Sequence, residues 1–279
     1  TPKGEVVYDL GQNMVGWVRL RVKGQAGNTV TLKHAEVLDK NGNLYTENLR
    51  KAKQQVQYIL KGGKEEIYEP HFAFQGFRYV AIDGFPGEPD LNSLTGIVIH
   101  SDMTPAGDFS CSDSMINQLQ HNIQWGQKGN FLDVPTDCPQ RDERMGWTGD
   151  AQVFAPTACF NFDAASFYTK WLKDVAADQF RDGTIPHVVP DVLRAGGSAA
   201  WEEVLETKTN TPALPELKAG ASAAWADAAV IVPWPVYLCY GDKQLLAQQC
   251  QCMKGWVNYM KNKAGDSYLW NKGGHFGDW

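Results

Sequence analysis

The sequence lacks the features that mark several common classes of protein. No run approaches the ~20 apolar residues that a membrane-spanning helix needs. No cluster of lysine and arginine is long enough to form a phosphate-binding surface for a nucleic acid, and the formal charge of −6 with a pI near 5.5 agrees with that exclusion. We therefore expect neither a membrane nor a nucleic acid as a partner.

Metal-binding and cofactor-binding motifs are missing as well. The six cysteines show no CxxC spacing and the six histidines show no HxxxH or HExxH spacing, so no metal ligand set is predicted. The cysteines are expected to be free buried thiols, which both cytoplasm and periplasm permit. No phosphate-binding loop or dinucleotide-binding fingerprint occurs, so no cofactor is expected. A calcium ion held by loop carboxylates stays an open alternative.

Acidic residues and tryptophans are unevenly distributed along the chain. Residues 1–105 hold 12 basic and 12 acidic side chains, whereas residues 106–279 hold 14 basic and 20 acidic ones. Nine of the ten tryptophans also lie in the second region. Flat aromatic rings stack on the C–H faces of sugars, and carboxylates bind hydroxyl groups and transfer protons. This composition favours a carbohydrate site in residues 106–279.

Two patterns of hydrophobicity divide the chain near residue 105. Residues 1–105 contain short alternating or β-branched runs separated by turns rich in glycine and asparagine, which predicts an antiparallel β-sandwich. Residues 106–279 instead contain amphipathic helical patterns at 112–123, 164–180, 221–238 and 243–262. Ser112 or Asp113 is expected to cap the first of these helices. We predict a second, helical domain of the bundle or toroid type.

The densest group of candidate functional residues lies in residues 133–150. It holds five carboxylates in eighteen residues, with two arginines beside Glu143 and two glycines after it: Arg141, Arg144, Gly146 and Gly149. The arginines are expected to compensate part of the acidic charge, and the glycines to let the backbone approach a neighbouring group closely. If this segment is helical, Trp147 lies one turn after Glu143 and shares a cavity with it. A solvated acidic loop held by ion pairs is the alternative without catalysis.

The string DVPTDCPQRDERMGWTGDAQ, residues 133–152, resembles the signature of the bacterial α-L-rhamnosidases of glycoside hydrolase family 78. Shorter motifs at 74–79, 182–186 and 225–228 resemble the same family, so the resemblance covers nearly the whole chain. It implies a β-domain followed by an (α/α)6 toroid. It also implies hydrolysis of terminal α-L-rhamnosides with inversion at the anomeric carbon, and so a rhamnose-containing glycoside or oligosaccharide as substrate.

The resemblance further implies roles for individual residues. Glu143 is implied as the general acid that protonates the glycosidic oxygen. The positions implied to bind the sugar are Asp137, Asp142, Trp147, Asp150, Trp225, Asp227 and Asp278. The chain departs from the family where a Trp-Gly-Asp-Ala pattern stands here as Trp225-Ala226-Asp227-Ala228, after an insertion at 195–221.

The general base of the family lies far downstream of the acid, and a toroid of twelve helices needs well over ~250 residues. We therefore expect residues 1–105 to form the β-domain and residues 106–279 the N-terminal part of a truncated toroid, inactive or nearly so alone. One alternative is a carbohydrate-binding or scaffold module. Another is a toroidal glycosidase for a different neutral hexose, although an apolar wall at Trp125, Phe131 or Trp201 would favour the C6 methyl of rhamnose.

Overall fold

A computed structural model describes residues 1–2, 4–192, 220–273 and 275. The chain forms two compact units. Unit 1 comprises Thr1–Ser101, Phe109–Leu132 and Cys138–Arg144, and unit 2 comprises Asp102–Asp108, Asp133–Asp137 and the described part of Met145–Trp279. The prediction of a β-rich first region and a helical second region is confirmed, while the domain boundary at residue 105 stays a prediction.

Unit 1 is built on an antiparallel sheet. Its six strands are β1 (Val6–Val22), β2 (Thr29–Ala35), β3 (Gln55–Ile59), β4 (Glu66–Tyr68), β5 (Gln75–Asp83) and β6 (Leu94–Val98). They are ordered β3-β2-β5-β1-β4, and β6 also pairs with β1. The long strand β1 pairs with β5 over its first part and with β6 and β4 over its second part. Its register with β5 shifts between Asp9 and Met14.

Alternate strand residues fill a single core in unit 1, because side chains two apart point to the same face of a sheet. The core includes Val18, Leu20, Val30, Leu32, Phe77 and Val80. A 3-10 helix at Glu47–Leu49 precedes β3, and Leu49 is buried. The predicted antiparallel arrangement is thus confirmed for the residues that the structure describes.

Helix α1 (Ser114–Asn130) packs on β1 within unit 1. It begins after Asp113, whose side chain accepts hydrogen bonds from the Met115 and Ile116 backbone N–H groups, so the predicted cap is confirmed. The apolar stripe at its start is exposed, with 80% of Met115 accessible. The reason is that the helix packs through its other end, where a Cβ on Gly129 would lie 3.0 Å from Val15 Cγ2.

Unit 2 is helical. Its helices are α2 (Thr148–Asn161), α3 (Ala165–Asp178), α4 (Ala228–Ile231), α5 (Pro233–Tyr240) and α6 (Lys243–Ala264), followed by a 3-10 helix at Gly265–Ser267. Short strands β7 (Phe131–Leu132) and β8 (Val134–Pro135) precede α2 in the chain. Trp171 and Leu172 of α3 and Trp256 of α6 are fully buried.

The helices predicted at 164–180 and 243–262 are confirmed, but the single helix predicted at 221–238 is wrong. The chain forms turns at 223–227 and then two helices, α4 and α5, that are separated at Val232. Pro233 explains the interruption, since proline has no N–H to continue the first helix and is favoured at the start of the second. In the described part of the chain, no helix combines the length and apolar character that crossing a membrane requires.

Candidate active site

Glu143 lies in the 138–144 segment of unit 1, and only 5% of its side chain is exposed. Its Oε2 atom lies 2.9 Å from Arg50 Nη1 and 2.8 Å from Arg141 Nη2. Such charge-assisted pairs are short and fix the orientation of a carboxylate. Both pairs use Oε2.

Arg50 is a partner of Glu143 that sequence reasoning missed. It follows the 3-10 helix and has a φ of 55°, and no motif surrounds it in the sequence. The next backbone N–H, that of Lys51, lies 3.3 Å from Asp142 Oδ2. The turn at residues 50–51 thus contacts two neighbouring carboxylates of the 138–144 segment, Asp142 and Glu143.

The two arginines of the signature have different roles. Arg141 pairs with Glu143 as predicted, but Arg144 does not. Arg144 donates hydrogen bonds to carbonyl oxygens, including that of Phe74 at 2.9 Å, and its guanidinium lies 5.2 Å from the Phe74 ring centroid. Burial lowers the pKa of the Arg144 guanidinium from its ordinary value. Arg144 therefore fixes the backbone of the segment that carries Glu143.

Asp137, which precedes the 138–144 segment, is hydrogen-bonded to Met145, which follows it. Its Oδ1 atom accepts a hydrogen bond from the Met145 N–H at 3.0 Å, and its own N–H donates to the Met145 carbonyl at 3.0 Å. Because these bonds join the residues on either side of 138–144, they restrict how far that loop can open.

Trp147 directly precedes α2, and the residues between it and Glu143 are not helical. The condition under which one helical turn would link these two side chains is therefore not met. The backbone of Trp147 forms an isolated bridge with Val188. Only 4% of the residue is exposed, because the segment around Val188 and the following helix enclose it.

Four aromatic rings form a row in unit 2. The Trp147 and His187 centroids lie 6.4 Å apart, those of His187 and Trp225 lie 6.1 Å apart, and those of Trp225 and His275 lie 5.4 Å apart. Burial, with a smaller contribution from His275, lowers the pKa of His187 to about 4. His187 is therefore neutral near pH 7. Sequence reasoning missed this residue, since a lone histidine without metal spacing gives no signal.

The two glycines of the signature do allow close approach, as predicted. A Cβ on Gly146 would overlap the Val189 carbonyl oxygen, and a Cβ on Gly149 would lie 3.1 Å from atoms of the Trp225 ring. Trp171 donates its indole N–H to the same Val189 oxygen at 3.1 Å. The two glycines thus let the backbone of the signature pack directly against Val189 and against the ring of Trp225.

The remaining predicted positions have varied surroundings. Asp150 is exposed in the first turn of α2, where the helix dipole favours a carboxylate. Asp227 Oδ2 accepts from the Ala224 N–H at 2.8 Å, and Oδ1 accepts from Trp256 Nε1–H at 2.8 Å. Asp278 lies outside the described residues, as does Trp201. Of the other two candidate wall residues, Trp125 is half-buried on α1 and Phe131 is buried.

Comparison with known families accounts for both regions of the chain. Residues 104–279 match the family described as the bacterial alpha-L-rhamnosidase 6 hairpin glycosidase domain, and residues 1–100 match the bacterial alpha-L-rhamnosidase concanavalin-like domain. These matches define a family in which a concanavalin-like domain precedes a 6 hairpin glycosidase domain. The chain belongs to the bacterial α-L-rhamnosidase family, which confirms the resemblance found in the sequence.

Individual relatives support this assignment. An α-L-rhamnosidase of Streptomyces avermitilis is 47% identical over 276 residues, and one of Formosa agariphila is 41% identical over 264 residues. The alignments cover 99% and 93% of this chain but only 24% and 26% of those proteins. The chain therefore spans about a quarter of the length of these relatives.

Solved structures show the same fold over most of the chain. The crystal structure of the Streptomyces avermitilis enzyme complexed with L-rhamnose superposes with a TM-score of 0.82, covering 94% of this chain and 23% of that one. The α-L-rhamnosidase of Dictyoglumus thermophilum, 38% identical, also has a TM-score of 0.82 and is covered to 27% of its length.

Proposed function

We propose that this chain carries the general-acid loop of an inverting α-L-rhamnosidase and that Glu143 is the acid. Membership of the family supports the reaction, and the complex of the Streptomyces avermitilis relative with L-rhamnose supports the sugar. The observation that carries the proposal is the environment of Glu143, a nearly buried carboxyl group with one oxygen held by Arg50 and Arg141.

In the proposed reaction, Glu143 donates a proton to the glycosidic oxygen as the bond to the anomeric carbon breaks. A water molecule attacks the opposite face of the sugar and gives its proton to a general base, so that rhamnose leaves with inverted configuration. The two carboxyl groups of inverting enzymes stand roughly 6.5 to 9.5 Å apart. We propose that the base belongs to residues outside this sequence, since the chain spans 24% of its Streptomyces relative.

The sugar contacts that we propose combine carboxylates with aromatic rings. The candidates are Asp137, Asp142 and Asp150 for the hydroxyl groups and Trp147 and Trp225 for the C–H face. Their places in and beside the signature support these roles. The sugar contacts of Asp227 and Asp278 stay predictions.

We also propose how the β-rich and the helical regions are built. The two parts of the six-stranded sheet that share β1 form the layers of a β-sandwich, and the helices from α1 onward form the first part of an (α/α)6 toroid. The TM-score of 0.82 with two α-L-rhamnosidases supports this arrangement.

The first experiment compares two leaving groups in the full-length protein. Glu143→Gln is expected to reduce kcat on an alkyl α-L-rhamnoside by about 10³-fold and on 4-nitrophenyl α-L-rhamnoside by much less, since nitrophenolate departs without a proton. The matched control is Glu88→Gln, an exposed position that should keep both activities. An equal loss on both substrates would contradict the role of Glu143 as general acid.

Further measurements separate the alternatives. NMR of the first-formed anomer should show inversion, and the 279-residue chain alone should release almost no rhamnose. Robust turnover by that chain would contradict a base outside it. For the full-length protein, hydrolysis of mannosides but not rhamnosides would favour a different hexose, and sugar binding without any turnover would favour a carbohydrate-binding module.

A further inference from the structure

Unit 1 contains a cavity of about 360 Å³ between the middle of β1 and helix α1. Its volume lies within the range of small-molecule sites, roughly 300 to 1,000 Å³. Of the described residues named as candidate contacts of the scissile rhamnose, only Trp125, a candidate wall for its C6 methyl, lines this cavity. Its walls come from the irregular part of β1, from α1, from Glu36 after β2 and from Pro139.

The cavity wall combines an aromatic ring with hydroxyl-binding groups. Trp125 is half-buried on α1, and the Lys128 ammonium lies 4.9 Å from the centroid of its ring. Glu36 Oε1 accepts a hydrogen bond from Asn13 Nδ2 at 3.0 Å, which orients both side chains at the wall. An indole ring for a C–H face beside amides and a carboxylate for hydroxyl groups suits a neutral sugar.

The wall is held in place by contacts between α1 and β1. His121 Nε2 lies 2.9 Å from Gln12 Oε1, and Gly129 allows α1 to lie directly on Val15. Gln12 and Asn13 belong to the stretch of β1 where the register with β5 shifts. Irregular strand segments of this kind redirect side chains and are frequent beside binding sites.

Contacts within unit 1 connect this wall to the candidate acid. Asn48 Nδ2 lies 3.5 Å from Glu36 Oε2, and two residues further along the same turn Arg50 pairs with Glu143. Pro139 lines the cavity and belongs to the same 138–144 segment as Glu143. A general acid lies on the side of the departing group, because it protonates the leaving oxygen.

We propose that this cavity binds a neutral sugar residue of the leaving group, with Trp125 as its stacking platform and Glu36 and Asn13 as hydroxyl partners. The assignment rests on the proposed function, because it places the sugar on the side of Glu143. It predicts a preference for rhamnose attached to an oligosaccharide over rhamnose attached to a simple aryl group.

Gly126 offers a variant that adds bulk at the cavity without disturbing its walls. It lines the cavity, and a Cβ placed on it meets nothing within 4 Å. In the full-length protein, Gly126→Leu should raise KM for a rhamnosylated neutral oligosaccharide about tenfold more than KM for 4-nitrophenyl α-L-rhamnoside. Gly126→Ala, the matched control, should leave the ratio of the two KM values at the wild-type value. Trp125→Ala should change the ratio in the same direction as Gly126→Leu.

An unchanged ratio in both Gly126→Leu and Trp125→Ala would overturn the assignment while leaving the proposed function intact. If the wild-type protein hydrolyses no rhamnoside, the proposed function fails, and calorimetric titration of the rhamnose-free neutral oligosaccharide tests the cavity directly. Binding that is lost in Gly126→Leu and retained in Gly126→Ala would still support the cavity as a sugar site. Absence of binding to the wild-type protein would overturn it.

Discussion

Arg50 Nη1 lies 2.9 Å from Glu143 Oε2, although 93 positions separate the two residues in the sequence. Arg50 follows a turn of the β-rich region, whereas Glu143 lies in the signature of the glycosidase domain. Both residues belong to unit 1, so the compact unit built on the β-sheet contains the candidate general acid together with a side chain that holds it.

Removing Arg50 should impair catalysis more than folding. In Arg50→Ala, Glu143 keeps only the Arg141 pair. A displacement of the catalytic acid by about 1 Å can lower the rate by up to about 100-fold. We expect kcat of the full-length enzyme on an alkyl rhamnoside to fall about 10- to 100-fold. The control is Arg19→Ala, which removes the exposed pair with Glu69 and should keep the wild-type rate. Equal activity of the two variants would show that the Arg50 contact has no catalytic role.

Gly146 should tolerate no side chain. A Cβ at this position would overlap the Val189 carbonyl oxygen, a backbone atom that cannot move away cheaply. Gly146→Ala is therefore expected to lower the free energy of unfolding by about 2 to 3 kcal/mol, as overpacking does elsewhere. In the control Gly107→Ala, the added Cβ meets nothing within 4 Å. Urea unfolding of both variants checks the prediction, and a stable Gly146→Ala protein would contradict the close packing seen here.

The sequence was sufficient to predict features that depend on local chemistry. Period-two runs predicted the strands, Asp113 was correctly expected as a candidate cap for α1, and two glycines in the signature predicted close packing. Each of these follows from residues that are near one another in the chain. The pairing of Arg50 with Glu143 and the edge contact of His187 with Trp147 depend on the tertiary fold, so no local pattern revealed them.

The errors have equally specific causes. Apolar residues at helical spacing predicted helix α1 correctly but not its packing, since Met115 is exposed and the helix packs at Gly129. Periodicity shows that a helix has an apolar face but not which neighbour covers it. The helix expected at 221–238 is divided at Val232, because the pattern of apolar residues outweighed the effect of Pro233 in the prediction.

His34 should make the stability of unit 1 depend on pH. Its Nδ1 atom lies 2.9 Å from the Gln54 carbonyl oxygen, and burial lowers the pKa of His34 to about 4. An unfolded histidine has a pKa near 6.5, so between pH 6.5 and 4 the unfolded chain binds a proton that the folded chain does not. The stabilising contribution is therefore complete above about pH 6.5 and is lost as the pH falls towards 4.

The variant His34→Leu removes this titration. Wild-type protein should lose about 3 kcal/mol more stability than His34→Leu between pH 7 and pH 4, as measured by urea unfolding at each pH. The variant itself should be less stable than the wild type at pH 7, since it loses the edge contact with Phe77. Parallel losses in the two proteins would show that His34 does not titrate in this way.

Asp227 allows a structural role to be separated from sugar binding. Its two oxygens accept hydrogen bonds from Trp256 Nε1–H and from the Ala224 N–H, and Trp256 is fully buried. Asp227→Ala leaves both donors unsatisfied and should lower the free energy of unfolding by about 2 to 3 kcal/mol. Asp227→Asn retains one acceptor oxygen and should lower it by about half as much. The exposed Asp266→Ala serves as control. If Asp227→Ala instead keeps wild-type stability and raises KM for a rhamnoside at least tenfold, the carboxylate acts on the sugar and not on the fold.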